Sequence, residues 1–378
     1  MKILFLGWEF PPNSVGGLGT HTYEIVKSLS RKGVNISILL PFSAHSDIPS
    51  VRFYSADLAG HFSVYARMKP LFSAKAYNDV YAEMSAYTSA AVEIAKDQKF
   101  DIIHANDWIT APAGIKIKEL SGKPLLLTMH STENDRTIGH PWDFIFDWEK
   151  KAVNSADKVI TVSNRLKDEL TSIYGADPSR IEVIHNAIDK SKFDGHALRK
   201  NSKVILYVGR LSVQKGVDYL IRAFKTVSEH NNDAFLYVVG DGPQMSYLID
   251  LTIDLNLSDK VIFFGRVPDD ILENFYFMAS VFVMPSVSEP FGITALEAIA
   301  SRTPTIISAQ SGVSEVIKNV FKVDFWDSKQ MADILLGLLG YPAVKEEMST
   351  GAYSELTNLT WENSADKFIR VYNSMLKK

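Results

Sequence analysis

The feature that most constrains this chain is a repeated rhythm of short apolar runs. KILFLGW (2–8), NISILLP (35–41), DIIHAN (101–106), PLLLTMH (124–130), KVITVS (158–163) and IEVIHN (181–186) are rich in β-branched residues, bounded by Gly, Asn or Pro, and separated by longer helix-like segments. Strands apolar on both faces belong in a parallel sheet covered by helices. After the polar segment DKSKFDGHALRKNSK (189–203) the rhythm restarts with KVILYVGR (203–210), AFLYVVG (234–240), KVIFFGR (260–266), SVFVMPS (280–286) and PTIISA (304–309). The change in composition marks an interdomain linker. Each half therefore reads as its own doubly wound α/β unit, in which ligands bind beyond the carboxyl ends of the strands. Two such units facing each other would leave a cleft.

Size and charge narrow the reading. A chain of 378 residues, 46% hydrophobic and 22% charged, can bury two cores of ordinary size, which argues against disorder. A net charge of −4, with 40 basic residues spread among 44 acidic ones, carries no electrostatic footprint for nucleic acid. There is no cysteine, which excludes disulfides, thiolate nucleophiles and Cys-based metal sites and fits a reducing compartment. The opening MKILFLGWEFPP stops being apolar at Glu9, too early for a signal peptide, and no other run approaches the about 18 apolar residues of a spanning helix. The expectation is a soluble cytoplasmic protein.

Polar features cluster at the strand ends. NSVGGLGT (13–20) follows the first run, and Gly16, Gly17 and Gly19 would let backbone N–H groups approach a phosphate or sugar. The pattern is neither GxGxxG nor a Walker loop, and a tight strand-to-helix turn has equal claim to it. His130 ends its run ahead of STENDR; a lone histidine there is more often a structural hydrogen bond. GRLSVQKG (209–216) places Arg210 at a strand end and Lys215 at a helix start, a pair suited to clamping a diphosphate, although each alone resembles a solvated charge. In SVSEPFGITALEA (287–299), Glu289 precedes a helix that opens near Gly292, and Glu297 lies inside an apolar run, where an ionised group needs a partner. An acidic acceptor suits the vicinal diol of a ribose, so the two carboxylates would bracket a sugar nucleotide.

GGLG, GRLSVQKG, GDGP and SEPFGITALEA, in this order and spacing over nearly the whole chain, resemble the retaining GT-B glycosyltransferases of family 4, with starch and glycogen synthases nearby. The resemblance implies an α/β protein of two Rossmann-like domains facing across a cleft. Residues 1–190 would form the acceptor-side domain and 203–355 the nucleotide-sugar domain, with a last helix within 361–378 crossing back onto the first. It implies that Arg210 and Lys215 clamp the diphosphate, that Glu297 holds the ribose, and that Glu289 lies near the donor sugar. Backbone amides of Phe291, Gly292 and Ile293 would touch the sugar or phosphates, Gly16 and Gly17 would approach the donor, His130 would contact the hexose, and the backbone at Arg266 and Val267 would meet the base. In the family's favoured same-face mechanism the leaving phosphate oxygen takes the acceptor's proton; Glu289 as a covalent nucleophile is the alternative.

No cofactor is implied beyond the nucleotide sugar, UDP- or ADP-glucose. The chain has no Asp-x-Asp pair and HANDW (104–108) lacks ligand spacing, so no metal is expected, with Arg210 and Lys215 supplying the charge. The rival readings are a GT-B-fold sugar-nucleotide epimerase, which would need ring-deprotonating groups, and a non-catalytic sugar-nucleotide sensor.

For the acceptor, WEFPPNSVGGLG and HSTE resemble glycogen-synthase-like members and imply an α-glucan. One departure is Ser14, where bacterial glycogen synthases carry Lys. Aromatic residues of 42–90 (Phe42, Phe53, Tyr54, Phe62, Tyr65, Phe72, Tyr77, Tyr81, Tyr87) with Trp142, Phe144 and Trp148 could stack on sugar rings, but most read as core. A lipid-linked or small-sugar acceptor is the alternative, with Arg67, Lys69 and Lys75 as a weak membrane-surface patch.

Overall fold

The computed structural model describes residues 1–14, 16–58, 74–193 and 203–377. Phe62, Tyr65, Phe72, Arg67 and Lys69 lie outside these residues, as does most of the linker (194–202), and the side chains of Lys75 and Tyr77 are likewise outside the description. The chain divides into two compact units. The first comprises Met1–Asn134, Pro141–Asn186 and Trp361–Lys378, the second Asp135–His140 and Ala187–Thr360.

The first unit is a parallel sheet of β1 (Lys2–Leu6), β2 (Asn35–Leu40), β3 (Val51–Ser55), β4 (Ile102–Asn106), β5 (Leu125–Met129), β6 (Lys158–Thr161) and β7 (Ile181–Val183) in the order β3-β2-β1-β4-β5-β6-β7. β4 and β5 are buried along their whole length, as runs apolar on both faces require. The second unit is a parallel sheet of β8 (Val204–Val208), β9 (Phe235–Val239), β10 (Val261–Gly265), β11 (Val281–Met284), β12 (Thr305–Ser308) and β13 (Phe321–Val323) in the order β10-β9-β8-β11-β12-β13. In each sheet the strand order reverses beside the first strand, between β1 and β4 and between β8 and β11. Ligands of open α/β sheets bind at such switch points.

Two strands, β3 and β13, are absent from the eleven runs read in the sequence. Both are sheet edges with one side uncovered, so neither needs an unbroken apolar run: VRFYS is only half-buried, and FKV is three residues long. Several runs also extend past their strands. The overhanging residues, His130, Arg210 and Arg266 among them, have already turned into the loops.

The final helix, Trp361–Leu376, packs along helix Gly17–Arg31 and sends Ala365, Phe368, Val371, Tyr372 and Met375 into the core of the first unit beside Ile3, Phe5, Ile25 and Ile102. Ion pairs Lys32–Asp366 at 2.8 Å and Arg31–Glu362 at 3.5 Å flank this seam. In the second unit, helices Val217–His230 and Ser328–Gly340 contribute Leu220, Phe224, Met331 and Leu335 to a core that includes Ile205, Leu236 and Val283.

Candidate active site

The second unit's switch point is built by close backbone approach. Gly216 follows the turn Val213–Lys215 at φ +61°, and a Cβ there would lie 2.3 Å from the carbonyl oxygen of Pro285. The amides of Val287 and Ser288 donate to the carbonyl of Gln214 at 2.9 and 3.4 Å. The loop after β8 is thereby stitched to the loop after β11. A second buttress comes from GDGP: Cβ atoms on Gly240 and Gly242 would lie 1.9 Å from the carbonyl oxygen of Gly209 and 2.3 Å from that of Leu211, so only glycine fits.

On this frame Lys215 Nζ donates to Glu289 Oε2 at 2.6 Å, and Ser286 Oγ donates to the same oxygen at 3.0 Å. Glu289 is buried while Lys215 keeps about a quarter of its side chain exposed, 23%. The Glu289 backbone is held by Ser311 and Gly312: their strand-like bridge includes a bond from the Gly312 amide to the Glu289 carbonyl at 2.9 Å. Gly292, at φ +113°, then turns the chain into helix Ile293–Ala300; a Cβ there would lie 2.6 Å from Met284 Cε. Phe291 is buried just before this turn. Glu297 lies one turn into the helix, and its Oε2 accepts from the hydroxyl of buried Tyr276 at 2.7 Å. Arg210, half-buried, leaves β8 two residues after its end, its carbonyl accepting from Tyr207 Oη at 2.9 Å. Exposed Arg266 and half-buried Val267 follow β10. Ser288 Oγ also donates to Asp135, whose segment belongs to this unit.

The structure thus gathers Lys215, Glu289, Gly292 and Ile293 at one switch point and gives Lys215 to Glu289. Tyr276, Ser286 and Asp135 are partners that sequence reasoning missed. Only a helix-spaced aromatic and two common polar residues stood for them in the sequence.

In the first unit, Gly16 caps helix Gly17–Arg31, and both Gly16 and Gly17 are exposed. Gly19 is required because a Cβ would lie 2.1 Å from Ser14 Cβ. His130 follows β5, half-buried, its Nε2 hydrogen-bonded to Asn106 Oδ1 at 2.9 Å. Its ring meets that of His21 edge-on, centroids 4.3 Å apart. His21 Nδ1 pairs with Asn186 Oδ1 at 3.0 Å, and His104 bridges Tyr372 Oη at 2.7 Å and Thr128 Oγ1 at 2.8 Å. Burial lowers the pKa of His21 from 6.5 to about 4 against the pull of the Asn186 hydrogen bond. Burial and then the neighbouring His21 lower His104 to about 3, and burial, His21 and His104 hold His130 well below 6.5. All three rings are neutral near pH 7. His21 and Asn106 escaped the sequence reading because nothing in the spacing of His21, Asn106 and His130 shows that they meet.

Of the aromatic residues considered for sugar stacking, Tyr87 is core, its hydroxyl donating to the Gly7 and Leu39 carbonyls at 3.1 Å. Phe53, Tyr54, Trp142, Phe144 and Trp148 are half-buried and Tyr81 is exposed. Among the described residues no group of three or more His, Asp or Glu side chains is placed to hold a metal ion, and no helix is long and apolar enough to cross a membrane.

Comparisons with known proteins cover nearly the whole chain. Residues 15–192 match the family described as Glycosyltransferase Family 4, and residues 189–354 that described as Glycosyl transferases group 1. An uncharacterized glycosyltransferase of Methanocaldococcus jannaschii is 32% identical, with 98% of each chain covered. A glycogen synthase of Mycobacterium tuberculosis is 28% identical over 98% of this chain and 94% of its own. Among solved structures, a sucrose-phosphate synthase from Thermosynechococcus elongatus shares the fold with a TM-score of 0.83 at 21% identity, covering 100% of this chain and 99% of the other.

Proposed function

Because the chain belongs to the retaining GT-B glycosyltransferases of family 4, which use nucleotide-sugar donors, we propose that it moves a hexose, glucose in our reading, onto a hydroxyl of an α-glucan. The observation that carries this reading is the Lys215–Glu289 pair at the start of helix Ile293–Ala300. Departure of a nucleoside diphosphate builds negative charge on the phosphates and positive charge on the sugar. Lys215 has three N–H donors, so it can hold Glu289 and a phosphate oxygen together, with Arg210 as the second cation and the first amides of the helix as neutral donors. Glu289, held at 2.6 Å from Lys215, is the carboxylate that faces the sugar. Tyr276 fixes one oxygen of Glu297, and a carboxylate with about four acceptor sites can take ribose hydroxyls as well.

Fixed charge of this kind lowers the barrier without reorganisation during reaction. The acceptor proton passes to the leaving phosphate oxygen, so no protein base is assigned. The α-glucan is supported by the similarity to a glycogen synthase and by the WEFPPNSVGGLG and HSTE motifs. The test is a screen of nucleotide sugars for diphosphate release with and without glucan, with small sugars, sugar phosphates and lipid-linked sugars as competing acceptors. Release that depends on glucan supports the reading. Release that depends on another acceptor replaces the glucan, and interconversion of the donor without release would make the protein an epimerase.

A further inference from the structure

The hydrogen bonds behind His130 determine where its ring proton sits. Thr22 Oγ1 donates to the carbonyl of Leu18 at 2.8 Å, and a carbonyl cannot donate back. The hydroxyl's single proton is thereby used, so at the 2.8 Å contact with Asn106 it can only accept, and Asn106 must present its NH2 group. The amide oxygen then faces His130 Nε2 at 2.9 Å, and that oxygen can only accept. Thr22 and Asn106 are both fully buried, so water does not compete for these bonds.

We propose that Thr22 and Asn106 are positioning residues that hold His130 as its Nε2–H tautomer and so turn Nδ1 into a hydrogen-bond acceptor for a hydroxyl of the transferred sugar. The assignment of the sugar rests on the proposed function; the tautomer does not. No described residue hydrogen-bonds Nδ1 of the half-buried ring. The titratable groups facing His130 are His21 on helix Gly17–Arg31 and His104 on β4, and both oppose a charge on it. A group that meets Nδ1 must donate. A sugar hydroxyl does so and a hexuronate carboxylate does not, so the site selects neutral hexoses at this position.

Long-range 15N–1H correlation spectra of the histidine rings, with His130 identified by its loss in His130→Gln, test the relay. Wild type should show a protonated Nε2 and a bare Nδ1. Thr22→Val removes the acceptor that orients Asn106 and should yield a mixture of tautomers; Asn106→Leu should do the same. Turnover in Asn106→Leu should fall about 10- to 100-fold, by analogy with the loss of a group that orients a metal-ligating histidine, with nucleoside diphosphate affinity unchanged. Asn106→Asp keeps an oxygen against Nε2 but favours the imidazolium, so its activity should return as pH rises and Nδ1 loses its proton. An Nδ1–H tautomer in wild type overturns the proposal, as does unchanged turnover in Asn106→Leu. A correct tautomer in a protein that turns over no nucleotide sugar would leave the relay standing and remove the transferase reading instead.

Discussion

Glu289 and Glu297 stand eight residues apart, have different partners, and are assigned different work in the proposed site. Glu297, tied to Tyr276 at 2.7 Å, is assigned to the ribose, a part of the donor that does not react. Glu297→Ala should therefore weaken binding of sugar nucleotide and free nucleoside diphosphate alike, an effect mainly on KM, and Tyr276→Phe should do the same more mildly. Glu289, tied to Lys215 and Ser286, is assigned to the reacting sugar, so Glu289→Ala should lower kcat strongly and leave diphosphate affinity nearly intact. Calorimetric titration beside steady-state kinetics checks both, and a reversed pattern would falsify the assignment. The charged members of this cluster were legible in the sequence because a carboxylate inside ITALEAIA or a lysine before a helix breaks an apolar pattern. Tyr276, Asn106, Thr22 and His21 break none. Each fits the periodicity of its own helix or strand, and its role exists only through a neighbour some 20 to 165 residues away in the sequence.

At the scale of elements, an apolar run made the central strands legible, and also the edges β7 and β10, whereas at the edges β3 and β13 polar residues interrupt VRFYS and the strand FKV is only three residues long. Glycines report backbone contact that no pattern reveals. A Cβ on Gly216 would meet the Pro285 carbonyl at 2.3 Å and one on Gly292 would meet Met284 at 2.6 Å, both from backbones at positive φ. Gly216→Ala should pull the loops after β8 and β11 apart and cost at least about 1 to 3 kcal/mol of stability, from strain alone; urea unfolding of the variant measures it.

The histidines on helix Gly17–Arg31, on β4 and after β5 make a second prediction about elements. A histidine whose folded pKa is depressed stabilises the fold above its unfolded value, near 6.5, and the stability is lost as pH falls toward the folded value. For His21 that window runs from 6.5 to about 4 and for His104 to about 3. At 1.36 kcal/mol per unit, His21 alone accounts for about 3 kcal/mol of acid sensitivity. His21→Phe should flatten this limb when unfolding free energies at about pH 7 and about pH 5 are compared. A limb of unchanged slope would show that other groups cause it.

For the whole molecule, the proposed use of Arg210 and Lys215 as fixed cations predicts that transfer persists after exhaustive treatment with EDTA. Loss of activity restored by Mg²⁺ or Mn²⁺ would show that the leaving group needs a metal as well. The C-terminal helix predicts something about the two units separately. Trp361, Ala365, Phe368 and Tyr372 are nearly or fully buried in the first unit although they follow the second in sequence. Burying large apolar side chains contributes about 1.5–3 kcal/mol each, so removing Trp361, Phe368 and Tyr372 forfeits on the order of 5 kcal/mol or more. His104 Nδ1 also loses its 2.7 Å bond to Tyr372. The total matches the about 5–15 kcal/mol that stabilises an ordinary domain. A chain ending at Thr360 should lose the cooperative unfolding of the first unit while the second still unfolds as a unit. Because the nucleoside diphosphate is assigned to residues of the second unit, Arg210 and Lys215 for its phosphates and Glu297 for its ribose, that shortened chain should still bind nucleoside diphosphate by calorimetry. Retention of both unfolding transitions would mean that the helix is dispensable to the first core. Loss of nucleotide binding with the second transition intact would place essential diphosphate contacts in the first unit.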